Sequence, residues 1–141
     1  MKTKEMYVFL GTVRNLRKKE SRFREQIEDL RLSLLPSGIT YDKEKVQTSP
    51  EDTVMETFAR LDEIEGELKR IVTKLYEARV AITNRAYILP PKERQIILRY
   101  YVDCWTVSQV SDELQITERH AFRLKENAIS MLCKVSEVSN D

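Results

Sequence analysis

Hydrophobic side chains recur at steps of three and four along most of the chain. Up to residue 35 they fall at Met6, Phe9, Val13, Leu16, Phe23, Ile27, Leu30 and Leu34, with Glu20 as the polar intrusion. This 3.5-residue period predicts one long helix with a coiled-coil-like stripe. Gly11 is a weak point inside it, costing about 1 kcal/mol relative to Ala. Leu35-Pro36-Ser37-Gly38 breaks the helix, and a polar connection with Tyr41 and Val46 as local anchors follows. Ser49 is placed to cap a second helix, Pro50 suits its first position, and Glu51 and Asp52 suit the positive end of its dipole. That helix is expected over 50–87, with a stripe of Val54, Phe58, Leu61, Leu68, Val72, Leu75, Ile82 and Ala86. Glu65 and Arg79 occupy two stripe positions, and Ile64, Ile71 and Ala78 widen the face. Two helices of this length in a lone hairpin would leave much apolar surface in water, so at least a dimer is expected.

Leu89-Pro90-Pro91 ends the second helix and opens a third over 91–103, with Ile96, Ile97, Tyr100 and Tyr101 as packing residues. Trp105 stands at the corner that follows. Two shorter periodic runs come next. Val107, Val110 and Leu114 mark one helix. Ala121, Leu124, Ala128, Leu132 and Val135 mark another, running from Glu118 to about Val135. Between them Ile116 can tuck into the interhelical angle, and Thr117 can cap the second helix through its hydroxyl. Each helix has one buried stripe, and together they have the pattern of a helix-turn-helix, whose second helix enters the DNA major groove.

Composition narrows the classes. Charged residues make up 33% of the 141, with only 3 Gly and 4 Pro, which favours long helices over sheets. The net charge of +1 removes any argument for nucleic-acid binding from overall charge. Residues 1–35 are locally basic, nine Lys and Arg against five acids, and Arg14, Arg17, Lys18, Lys19, Arg22 and Arg24 could touch phosphates or simply form a solvated face. Cys104 and Cys133 form no CxxC pair and read as reduced thiols of an intracellular chain. No apolar run approaches the ~20 residues of a membrane span, so a soluble, cytoplasmic protein is expected. With one histidine, no Gly-rich phosphate loop and no Cys/His cluster, neither an enzyme nor a metal or other cofactor is expected. The acid pairs Asp62-Glu63 and Asp112-Glu113 read as solvated helix faces.

The order Leu89-Pro90-Pro91, Glu93-Arg94, an aromatic-rich helix, Thr106-Val107-x-x-Val110, Leu114-x-Ile116-Thr117 and Ala128-x-x-x-Leu132 resembles region 4 of sigma-70-type RNA polymerase sigma factors. That region is the four-helix module that reads the −35 promoter element. The long helical N-terminal part has no place in a sigma factor, and nothing like region 2 accompanies it. The combination resembles small phage and prophage proteins of Gram-positive bacteria related to ArpU- and RinA-type regulators of late genes. Gln115 stands where the turn often has Gly or Asn, and Ala121 where a larger aliphatic is usual. The base-reading positions differ as well, so sequence preference does not transfer.

These readings combine into an all-α chain. Residues 1–88 form a long helical hairpin for oligomerisation, 89–136 a sigma-70 region-4-like helix-turn-helix domain, and 137–141 a tail. The resemblance implies a sequence-specific regulator of phage or prophage genes, an activator of late genes, bound to double-stranded DNA as a homo-oligomer through helices 1–35 and 50–87. It would act in a bacterial host cell, associated with the nucleoid when bound. The DNA-facing candidates are Thr117, Glu118, Arg119, His120, Phe122, Arg123 and Glu126. Arg119, Arg123 and Glu126 point most nearly away from the core stripe. Arg can donate twice to guanine, Glu118 can accept from cytosine and Phe122 can press on a thymine methyl. From Pro91 to Val135, seven basic residues face six acidic ones, which leaves one module little electrostatic affinity. The alternative is therefore an adaptor or anti-sigma-like protein that binds RNA polymerase or another regulator with little DNA contact.

Overall fold

The computed structural model describes residues 2–35 and 50–139, and only the backbone at 50, 51 and 137–139. Among these residues every regular element is a helix and no strand occurs, in line with the all-α expectation. The helices are α1 (Thr3–Leu10), α2 (Thr12–Ser33), α3 (Pro50–Ala86), α4 (Pro91–Ile97), α5 (Val107–Leu114) and α6 (Glu118–Ser139), with a π-helical turn at Leu98–Val102. The expected break at Pro36–Gly38, the anchors Tyr41 and Val46 and the Ser49 cap lie outside the described residues. None of the described helices is long and apolar enough to cross a membrane.

Three elements depart from the sequence pattern. The first helix is interrupted at Gly11, whose φ of −78° and ψ of −4° open the ladder locally. Hydrogen bonds from Gly11 N–H to the Tyr7 carbonyl (3.0 Å) and from Asn15 N–H to the Gly11 carbonyl (3.2 Å) still carry the chain across. A β-carbon at Gly11 would meet the Tyr7 carbonyl oxygen at 3.2 Å, so the close turn suits glycine. The third helix widens after Ile97, where Asp103 N–H reaches back five residues to the Leu98 carbonyl at 2.9 Å. The last helix continues past Val135 to Ser139, beyond the expected start of a tail.

The chain divides into two compact units, and the division does not fall at residue 88. One unit comprises Met1–Arg17 and Lys74–Asp141. Its core joins Met6, Leu10 and Val13 to Leu75, Ile82, Ala86 and Leu89, and to Ile97, Tyr101, Ala128, Ile129, Leu132 and Cys133. The first helix therefore packs on the last one instead of belonging wholly to a separate hairpin. Leu10, absent from the expected stripe, is fully buried. Val135, placed on the stripe of the last helix, is 46% exposed. The buried face of α6 runs instead through Ala121, Leu124, Lys125, Ala128, Ile129, Leu132, Cys133 and Ser136.

The other unit is Lys18–Thr73, made of the later part of α2 and the earlier part of α3. Only Ile27 and Ile71 are buried there among the described residues. An Arg31–Glu65 ion pair at 2.8 Å links the two segments. A groove of about 580 Å³ runs beside Ile27, Arg31, Leu32, Leu35, Glu65 and Leu68. Leu32, Leu35, Met55 and Phe58 are all more than half exposed.

Candidate nucleic-acid interface

The helix-turn-helix is set by three local devices. Thr106 caps α5 in a reciprocal box: its hydroxyl accepts the Gln109 backbone N–H (3.1 Å), and the Gln109 side-chain Oε1 accepts the Thr106 N–H (2.9 Å). The turn itself needs a left-handed residue. Gln115 supplies it with φ 57° and ψ 45°, and the Ile116 N–H closes on the Ser111 carbonyl at 3.0 Å. A side chain at such φ is strained, by about 1 kcal/mol relative to glycine. Thr117 then caps α6, its hydroxyl accepting the His120 N–H at 3.1 Å.

Packing fixes the angle between the two helices. Ile96, Val110, Ala121 and Leu124 form a small core, with Trp105, Val107, Leu114 and Ile116 packed against it. Trp105 and Ile116 thus sit where the periodicity placed them. A small crevice of about 10 Å³ lies beside Ile96, Tyr100, Val110, Ala121 and Lys125.

The start of α6 presents two columns of side chains one helical turn apart. Arg119 and Arg123 form one and are exposed, and no ion pair or hydrogen bond engages either side chain among the described residues. Glu118 and Phe122 form the other, Glu118 exposed and the Phe122 ring 51% exposed. His120 is half-buried beside them. Thr117 is exposed but its hydroxyl is taken by the cap, which makes it a support of the reading helix. Glu126 differs from expectation. It is half-buried and accepts a 2.6 Å hydrogen bond from the Tyr7 hydroxyl of α1, so it faces a neighbouring helix. That bond is the main reason the Tyr7 hydroxyl is pushed up to about 12, because the carboxylate holds the phenolic proton.

Several cations counted on the sequence are committed inside the unit. Arg14 donates to the Tyr100 (3.0 Å) and Trp105 (2.7 Å) carbonyls and lies 4.0 Å from the centre of the Tyr100 ring. Arg17 donates to the Asp103 carbonyl at 3.3 Å. Both serve carbonyls in or just after the widened turn, at the C-terminal end of that helix, a favourable place for positive charge. Arg94 donates to the Tyr87 and Leu89 carbonyls, both at 3.0 Å, and closes the end of α3. Arg99 pairs with Asp103 (3.0 Å) and Glu113 (3.3 Å) and lies 4.9 Å from the Trp105 ring. Lys125 is only 7% exposed, with Nζ 4.5 Å from the Tyr100 ring and 4.6 Å from the Phe122 ring. Lys92, Arg119, Arg123 and Lys134 remain on the surface.

Sequence reasoning missed Lys125, Tyr7 and the carbonyl-capping role of Arg14. Position 125 follows Ala121 by four residues, which puts it on the buried stripe, and that spacing could have flagged it. Tyr7 lies 119 residues from Glu126, and Arg14 lies 86 and 91 residues from Tyr100 and Trp105, so neither carries a local signal.

Neither the curated proteins nor the solved structures give a match to the chain. Residues 88–132 match the family model of sigma-70, region 4, a regulatory DNA-binding domain and not an enzyme family. That third of the chain is accordingly a helix-turn-helix domain of the sigma-70 region 4 type.

Proposed function

We propose that the protein is a sequence-specific DNA-binding transcriptional regulator that presents the first two turns of α6 to the major groove. The observation that carries this reading is the pair Arg119 and Arg123. They stand one turn apart at the outward face of α6, within the residues that match the family, exposed and with no ion pair or hydrogen bond to either side chain among the described residues. Each can donate two hydrogen bonds to a guanine edge, worth about 1–3 kcal/mol of discrimination apiece. Glu118 and Phe122 extend the same face toward cytosine and thymine. The placement among phage or prophage regulators of late genes, acting as an activator, rests on the pairing of a long helical N-terminal part with this module.

The surface charge of one module is nearly balanced, so one copy gains little from counterion release. Two linked copies would gain affinity through effective concentration. The half-exposed Phe58 and the more exposed Met55 and Leu32 of residues 18–73 supply apolar surface for a second copy of this chain. Light scattering on the full chain tests the assembly, and a single-chain mass would overturn it.

A second reading is favoured by Glu118, an exposed acid at the start of α6. It makes the module an adaptor for RNA polymerase or another regulator. Selection from a random DNA pool with the full chain, followed by shift assays at fixed salt, separates the two. The first reading expects an enriched site whose binding is lost in Arg119→Ala/Arg123→Ala with folding unchanged. Polymerase co-purification without any enriched site supports the second.

A further inference from the structure

Phe122 is a large apolar ring on a polar helix face, and it is not left loose. Its ring lies 4.6 Å from Lys125 Nζ, which lies 4.5 Å from the Tyr100 ring, which in turn lies 4.0 Å from the Arg14 guanidinium. Cations and rings thus alternate from α2, through the widened turn, to the outer face of α6. Lys125 is 7% exposed, and no carboxylate pairs with it among the described residues. A lysine stem is ordinarily among the most mobile of side chains. Buried against two ring faces, it is fixed, and an ammonium facing an aromatic ring attracts it. The outcome is an exposed ring held in one orientation on the second turn of the reading helix.

The major groove offers an apolar side chain one main partner, the C5-methyl of thymine. We propose that Lys125 is a positioning residue that fixes the Phe122 ring for contact with a thymine methyl group. The inference rests on the DNA-binding reading above and sharpens it to one base position. Lys125 itself does not reach phosphate, because its Nζ is spent on the two rings.

The test uses the full chain and the DNA site it selects from a random pool. Each thymine of that site is replaced in turn by deoxyuridine, which removes the methyl group alone. Wild-type protein should lose about three- to fivefold in affinity at one position, the worth of one buried methyl group. Lys125→Met keeps the stem and should erase that loss, while the discrimination at guanines is retained. Lys125→Arg should restore it, and Phe122→Ala should erase it with no further effect in the double variant. A methyl preference kept in folded Lys125→Met, or a uniform drop at every position, overturns the proposal. Should Lys125→Met melt below the assay temperature, Phe122→Ala decides, and a methyl preference kept in that variant overturns it. A pool with no enriched site would overturn the DNA-binding reading and this inference together. An enriched site with no methyl-sensitive position would overturn this inference alone.

Discussion

Residues 18–73 and the unit formed by residues 1–17 and 74–141 follow the same helical period, yet they bury their apolar side chains to different degrees. In the second unit Met6, Leu10, Val13, Ile82, Ala86, Ile97 and Ala128 are fully buried. Among the described residues of 18–73 only Ile27 and Ile71 are buried, while Leu32, Met55 and Phe58 are over half exposed. The difference is one of partners. A stripe facing α1, α4 and α5, as that of α6 does, is covered from several sides. A stripe facing one helix is covered along a line. Periodicity reports that a face is apolar and is silent on how many neighbours cover it.

Paired truncations break or confirm that comparison most directly. Leu132→Ala removes a side chain that is 1% exposed in the larger core, and should cost about 2–5 kcal/mol in urea unfolding. Leu32→Ala removes one that is 56% exposed, and should stay within about 0.5 kcal/mol for a single chain. Equal losses would show that residues 18–73 are as well covered as the rest. A large loss for Leu32→Ala that grows with protein concentration would assign the cover to a second copy.

The next effect sharpens the boundary at residue 17. Arg14→Met keeps the stem and removes two donors from the Tyr100 and Trp105 carbonyls. Hydrogen bonds to charged groups contribute about 1.5–3 kcal/mol each at most, and some of this is offset, because Arg14 Nε is itself buried without an acceptor. A net loss of about 2 kcal/mol by chemical unfolding is expected. No loss would detach the first seventeen residues from the helix-turn-helix in energetic terms, whatever their packing.

Gln115→Gly runs the other way. The residue sits at φ 57°, where glycine adopts the backbone without the β-carbon clash. Relief of that strain, less the greater freedom glycine brings to the unfolded chain, should raise stability by up to about 1 kcal/mol. A drop on thermal unfolding would mean that the glutamine side chain contributes more than its backbone strain costs. Cys104 at φ 60° is a second strained position in the same unit.

The helix-turn-helix was legible because its signals are local. Thr117 caps where its place before Glu118 said it would, and the Gln115 turn adopts the conformation that its position implied. The Thr106–Gln109 reciprocal cap was not read, although its three-residue spacing is local too. Arg119 and Arg123 are outward-facing by their angle around the helix alone. What was not legible depends on contacts distant in sequence. Ile129 and Cys133 lie off the stripe drawn through Ala121, Leu124 and Leu132, because α6 faces one core near its start and another farther along. Glu126 points away from the first core and toward α1, so an angle measured from a single stripe made it look solvent-facing. The split at Gly11 and the widened turn at Leu98–Val102 likewise follow from packing that no window of the sequence contains.

The smallest effect lies at the rim of the larger unit, where Tyr7 donates to Glu126. The Tyr7 hydroxyl is raised to about 12, first by that hydrogen bond and then by partial burial. In the unfolded chain a tyrosine titrates near 10. The folded state therefore holds the proton more tightly than the unfolded state. Stability from this bond is fully present below about pH 10 and is lost as pH rises from there through about 12. Other tyrosines and lysines titrate in the same window, so the readout is the difference between the wild type and Tyr7→Phe. That difference in thermal midpoint should be constant from pH 7 to about pH 9 and shrink above about pH 10. Tyr7 is 38% exposed, so water screens the bond and the difference should be small. A difference that does not change with pH would mean that the Tyr7 ring contributes through its packing on α6, with the hydroxyl and Glu126 adding nothing to hold α1 in place.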